Sequence, residues 1–140
     1  MKLEENKFNW TEYVYISQEL SRLPLTGQPS DTARLRAAIS RAYYAAFCNA
    51  KKYLDSLPHD NISYNINGES SHDSVINCFF SDSKNQDKQN IGLLLRNLKR
   101  LRKEADYNDK FIKNLSNKAE TAIEEAETII NSLEKLCKSP

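Results

Sequence analysis

The stretch IGLLLRNLKRLRKEADY, residues 91–107, decides the fold. Within it Ile91, Leu94, Leu95, Leu98, Leu101 and Ala105 recur at the spacing that brings side chains to one face of an α-helix. At 100° per residue they make an apolar stripe over about a third of the helix circumference, which has to be buried against other helices. Arg102 falls inside that stripe, near Leu95 and Leu98, and Asp106 stands at its edge. A charge in such a place is tolerated only when it is paired and hydrogen-bonded, or when it opens onto a cleft or a partner.

The flanking segments carry the same period. Downstream, a helix from about Asp109 to Leu136 has Leu115, Ala119, Ala122, Ile123, Ala126, Ile130 and Leu133 as its seam. Upstream, the helix that holds Arg102 starts near Lys84, and a short one before it carries Val75, Ile76, Phe79 and Phe80. A long helix is capped by Ser30 or Asp31 and runs to about Leu57, packing through Leu35, Ala38, Ile39, Ala42, Tyr43, Ala46, Phe47, Ala50, Tyr53 and Leu54. The first helix covers about Asn9 to Arg22 and is stopped by Pro24, Gly27 and Pro29. Between Pro58 and Ser71 the chain turns polar. Ile62, Tyr64 and Ile66 alternate there, but a lone strand would lack a partner, so the segment is read as a loop. The expectation is an all-α fold, an up-and-down antiparallel bundle of about five helices.

Composition narrows the function classes. A chain of 140 residues, 39% hydrophobic and 28% charged, suits a single domain over residues 1–140 with a core from about 9 to 137. Lys and Arg total 20 against 19 acids, so attraction to nucleic acid or an anionic membrane has to come from a local patch. Arg96, Lys99, Arg100 and Lys103 are the candidate RNA-contact patch, since most of them point away from the leucine stripe; the plainer reading is a solvated face balanced by Glu120, Glu124, Glu125, Glu127 and Glu134 on the fifth helix. The three cysteines, Cys48, Cys78 and Cys137, have no metal-ligand spacing, and residues 1–10 have no apolar signal core, which points to a reduced, cytoplasmic protein. No apolar run reaches the ~20 residues of a membrane span. There is no P-loop, glycine-rich phosphate cradle, metal cluster or Ser-His-Asp spacing, so neither a metal nor a cofactor is expected.

Arg102 and Asp106 carry two compatible readings. As a structural pair at i and i+4 they fix bundle register or a dimer contact. As a site, Arg102 offers a planar fork to a phosphate or nucleotide, Asp106 orients it, and Tyr107 stacks or donates a hydrogen bond. Arg41 and Tyr44, one turn apart on the second helix, project toward the fourth as further ligand-binding candidates or as a packed tyrosine bonded to an arginine. His72 opens the third helix after Ser70 and Ser71, where a capping role would suffice; His59 sits in the loop and is expected to be solvated. Cys48 and Cys78 flank aromatics and read as core fillers rather than nucleophiles.

Four segments in order, Trp10-Thr11-Glu12-Tyr13, Ser40-Arg41-Ala42-Tyr43-Tyr44-Ala45-Ala46-Phe47, the His72 helix ending in Phe79-Phe80, and Arg102-Lys103-Glu104-Ala105-Asp106-Tyr107, resemble the HEPN superfamily, the higher eukaryotes and prokaryotes nucleotide-binding domain. The nearest likeness is to its small stand-alone prokaryotic branch, in which an arginine precedes Ala-Asp-Tyr, and it covers the chain from Trp10 to about Leu136. The resemblance implies a helical bundle that self-associates as a homodimer, with a cleft near the fourth helix and the dimer axis. It also implies RNA, a nucleotide or a nucleotidyltransferase-like protein as partner, in a toxin-antitoxin or defence pair. Many members are metal-independent ribonucleases that use an arginine followed four to six residues later by a histidine. Here Asp106, Tyr107 and Asn108 occupy those places after Arg102, and Arg96 and Arg100 also lack the histidine. Asp106 is a poor replacement, because a carboxylate beside a guanidinium stays ionised at neutral pH, where proton transfer needs a group with pKa near 7. The expected function is therefore a binding module. The alternative is an endoribonuclease toxin that uses Arg102 with His72, Tyr107 or Asp106 in place of the missing histidine, and the resemblance makes His72 the histidine to test as a proton carrier.

Overall fold

The computed structural model describes residues 7–58 and 71–138, and all regular structure among them is helical. Five helices follow one another: α1 (Glu12–Arg22), α2 (Ser30–Asp55), α3 (Ser71–Phe80), α4 (Gln86–Tyr107) and α5 (Leu115–Lys138). His59, the alternating Ile62, Tyr64 and Ile66, and most of the loop expected after Pro58 lie outside the described residues.

Cross-helix bonds show the directions. From Arg36 to Ser40 to Tyr43, α2 meets Asn108, Asp106 and Arg102 in turn, so residue numbers rise along α2 as they fall along α4 and its C-cap. The same reversal relates α1 to α2 through Ser17 to Ala38 and Thr11 to Asn49, and α4 to α5 through Asn97 to Glu125 and Glu104 to Lys118. These are antiparallel neighbours around one core, to which every helix contributes. The alanines of α2 (Ala38, Ala42, Ala45, Ala46 and Ala50) are fully buried, and their small side chains let α2 run through the middle of the bundle in contact with α1, α4 and α5. Where α1 crosses α2, the buried Ser17 donates its hydroxyl to the carbonyls of Tyr13 (2.9 Å) and Ala38 (2.8 Å). A polar atom is thereby satisfied at a contact too close for a larger side chain.

Three helix starts differ from the sequence reading, each for a local reason. Asp31 does not cap α2: its carboxylate accepts from the backbone of Thr26 and Gly27 and pairs with Arg34. These bonds hold its pKa down at about 2, and they fold the turn between α1 and α2 back on itself. α4 begins after Asn85, whose side chain accepts from the Lys88 amide at 3.0 Å, rather than at Lys84. α5 begins at Leu115 instead of Asp109, because Arg36 captures the carbonyls of Ala105 (3.2 Å), Asn108 (2.6 Å) and Lys110 (2.9 Å) and so closes the end of α4. The connection then turns at Asn114, whose φ of 58° no helix continues.

Candidate functional site

Arg102 is where its sequence position demands. Its residue is only 7% exposed, among Leu98, Leu101 and Ala105 on the inner face of α4. Three rings surround the guanidinium: Tyr43 at 5.1 Å, Tyr44 at 5.7 Å and Tyr107 at 5.8 Å from its central carbon. Each ring offers a π face to the cation, which lowers the penalty of burying it. The expected pair with Asp106 forms, but loosely, at 3.8 Å between Nη1 and Oδ2. Asp106 also accepts from the Ser40 hydroxyl at 3.3 Å, and Nε of Arg102 is buried with no acceptor among the described residues. A buried donor left in that state costs about 1–3 kcal/mol, so the arginine is held by aromatic faces and one long ion pair rather than by a complete hydrogen-bond set.

His72 is brought to the same place from α3. Its ring stacks on Phe47 at 4.2 Å with an interplanar angle of 8°, and Nδ1 shares a 2.6 Å hydrogen bond with the Tyr43 hydroxyl. Tyr44 approaches it edge-on at 6.0 Å. This is more than a capping residue does. Burial, then the positive charges of Arg102 and Lys99, push the His72 pKa below its ordinary value, with Asp73 opposing. Burial pushes the Tyr43 hydroxyl strongly upward, so that phenol keeps its proton. The bond to Tyr43 leaves Nε2 as the other polar atom of the ring: a donor when the hydroxyl donates to Nδ1, and a base when Nδ1 carries the proton.

Arg41 and Tyr44 join the cluster at its edge. The Arg41 guanidinium lies over the rings of Tyr13 (4.8 Å) and Tyr44 (5.1 Å), so it bridges α1 and α2, while Tyr44 is the member that reaches Arg102. Tyr107, 70% exposed, is the most exposed of the three rings around Arg102.

The basic patch is less uniform than its sequence suggests. Lys99 is engaged with the Asp73 carboxylate of α3, which removes it from the solvent-facing group. Arg96 lies over the Phe80 ring at 4.5 Å, Arg100 donates to the Asn97 side chain, and Lys103 is exposed. Of the α5 acids, Glu125 meets this face by accepting from Asn97 at 2.6 Å, whereas Glu120 is taken up by Arg22 of α1 at 3.5 Å. Cys48 and Cys78 are half-buried; burial raises the Cys48 thiol pKa, which keeps it protonated and unreactive.

Sequence reasoning missed three residues of this site. Tyr43 and Phe47 fit the apolar period of α2 and read as core, and nothing local tells that the hydroxyl of one and the ring of the other meet His72. Arg36 sits one turn before Ser40 on the side of α2 that faces the end of α4; that spacing was its only signal. Among the described residues no group of three or more His, Cys, Asp or Glu side chains could hold a metal ion, and no helix is long and apolar enough to cross a membrane. The chain matches no family model, no curated protein and no solved structure.

Proposed function

We propose that this protein is a HEPN-like, self-associating binding module that takes a phosphate group of RNA or a nucleotide at Arg102. The observation that carries the reading is a guanidinium 7% exposed whose Nε has no acceptor among the described residues and whose one ion pair is 3.8 Å long. A phosphate oxygen supplies the acceptors the fold withholds, in the fork geometry that arginine favours. Tyr107 stands at the mouth to stack on a base, and Asp106, fixed by Ser40, limits how far the guanidinium can swing. The exposed Arg96, Arg100 and Lys103 steer the anion toward α4. A homodimer, and a nucleotidyltransferase-like protein as the other half of a toxin-antitoxin or defence pair, complete the reading on the strength of the resemblance. Fluorescence anisotropy with a labelled single-stranded RNA tests it: binding by the wild-type protein and loss of at least ~10-fold in Arg102→Met are expected. Equal affinity of the two proteins refutes the role of Arg102. Light scattering that finds only monomer at high micromolar concentration refutes the self-association.

A second reading is favoured by one further observation, the 2.6 Å bond that fixes His72 against Tyr43 in the same cluster. A neutral imidazole near a buried guanidinium is the combination needed to take the 2′-hydroxyl proton while the phosphate charge is held: the 2′-oxygen bonds to phosphorus, the P–O5′ bond breaks, and the proton passes to the 5′-oxygen, which leaves a 2′,3′-cyclic phosphate and a 5′-hydroxyl without a metal. The site would then be an endoribonuclease with its histidine supplied by α3. Cleavage by pure protein that disappears in both His72→Asn and Arg102→Met establishes this reading over simple binding. RNA left intact by the wild type, with no growth arrest on expression, rejects it.

A further inference from the structure

A cavity of about 580 Å³ lies away from Arg102, between the segment before α1 and the last turns of α2, and it falls within the size range of small-ligand sites. Phe8 and Trp10 form its aromatic side, and Lys7, Lys51 and Lys52 its charged side. The acid that lines it, Asp55, is paired with Lys51 at 3.1 Å. Lys7 and Lys52 are exposed and have no carboxylate partner among the described residues. Cys48, its thiol held protonated by burial, adds a neutral wall. Rings suit a planar group and two exposed lysines an anion, the two features that a nucleoside phosphate combines.

A chain of packed side chains links the cavity wall to the arginine cluster. Trp10 meets Phe8 at 4.9 Å and Tyr13 at 5.7 Å, Tyr13 carries the Arg41 guanidinium at 4.8 Å, Arg41 covers Tyr44 at 5.1 Å, and Tyr44 reaches Arg102 at 5.7 Å. From Tyr44 to Lys52 the α2 backbone advances about 12 Å. Three rings, then Arg41, Tyr44 and Arg102 follow one another along this route, and rings with cations are the two kinds of contact by which proteins hold an unpaired strand.

We propose that the Trp10 cavity is a second subsite for a nucleoside phosphate, filled by a neighbouring nucleotide of the single strand whose phosphate rests on Arg102. This rests on the Arg102 reading given above, and the two can be separated because the chain has a single tryptophan. Emission from Trp10 in the full-length protein reports on the cavity it lines, while anisotropy of a labelled tetraadenylate reports on total binding. The strand is expected to quench Trp10 emission in parallel with the anisotropy rise, and adenosine 5′-monophosphate to quench it at ~10-fold or more higher concentration. The double variant Lys7→Gln and Lys52→Gln changes two exposed side chains and leaves the core alone. It is expected to weaken the strand about 10-fold and to lower the slope of log affinity against log salt by about 0.7 for each phosphate that the lysines no longer neutralise. Strand binding that leaves Trp10 emission unchanged, or that the double variant does not weaken, overturns the subsite while the Arg102 reading stands. Quenching by the monophosphate that persists in Arg102→Met, with no strand binding in the wild type, overturns the Arg102 reading and makes the free nucleotide the ligand of the cavity. Absence of both signals overturns both.

Discussion

Replacing Arg102 by Met is the sharpest test of why a charge sits inside the α4 stripe. The methionine thioether keeps much of the arginine stem's packing among Leu98, Leu101 and Ala105 while removing the guanidinium. The substitution abolishes three cation–π interactions at 5.1, 5.7 and 5.8 Å, each contributing about 0.5–1 kcal/mol even where a ring is exposed. Against that, the variant no longer buries the unpartnered Nε, which relieves about 1–3 kcal/mol. The partner left behind is not stranded, because the Asp106 side chain is 27% exposed and still accepts from Ser40. The two effects are of similar size, so urea denaturation is expected to place Arg102→Met within about 1 kcal/mol of wild type. That corresponds to a rise or fall in Tm of no more than about 4 °C. RNA binding is expected to weaken at least ~10-fold in the same protein. A variant destabilised by ~3 kcal/mol or more, the usual result of breaking a fully satisfied buried pair, would show that Arg102 is a structural strut and refute the reasoning.

The remaining predictions concern the residues around it. In His72→Asn, the pH dependence of Tm is expected to flatten between about pH 7 and 5. The folded-state pKa of His72 is lowered, so the unfolded chain binds the proton first, and wild-type stability is full above the unfolded pKa and declines as pH falls through it; unchanged profiles would exclude His72 as the titrating group. Ser17→Ala is expected to cost about 0.5–1.5 kcal/mol in urea denaturation, because the hydroxyl that binds the Tyr13 and Ala38 carbonyls is removed from a site with no exposure; a neutral result would mean those bonds contribute nothing net. Gly92→Leu is expected to destabilise by about 1–3 kcal/mol, since even a Cβ there comes within 2.9 Å of the Phe80 ring and the rest of the side chain has to displace it; a melting curve matching wild type would refute that.

The distance between sequence and structure differs from element to element. All five helices follow from apolar period, because burying one face of each against the others is the main way a chain with so few glycines and such patterning lowers its free energy. The same period located Arg102 as a charge that had to be buried, and Asp106 as its neighbour, since both lie on one helix and i to i+4 geometry is local. Helix ends were less legible at Asp31 and Asp109, where competing partners decide: Asp31 gains more from the Thr26 and Gly27 amides than from capping α2, and Arg36 ends α4 from another helix. What no linear pattern could supply was the meeting of α2, α3 and α4. Tyr43 and Phe47 have the spacing of ordinary core residues and His72 the position of a cap, yet antiparallel packing stacks the imidazole on one ring, bonds it to the other's hydroxyl and sets the same phenol against Arg102. Helical periodicity is a property of a few consecutive turns, and so the chain alone specified which faces are hidden; which hidden faces touch depends on how several helices share one interior, and only the tertiary packing decided that.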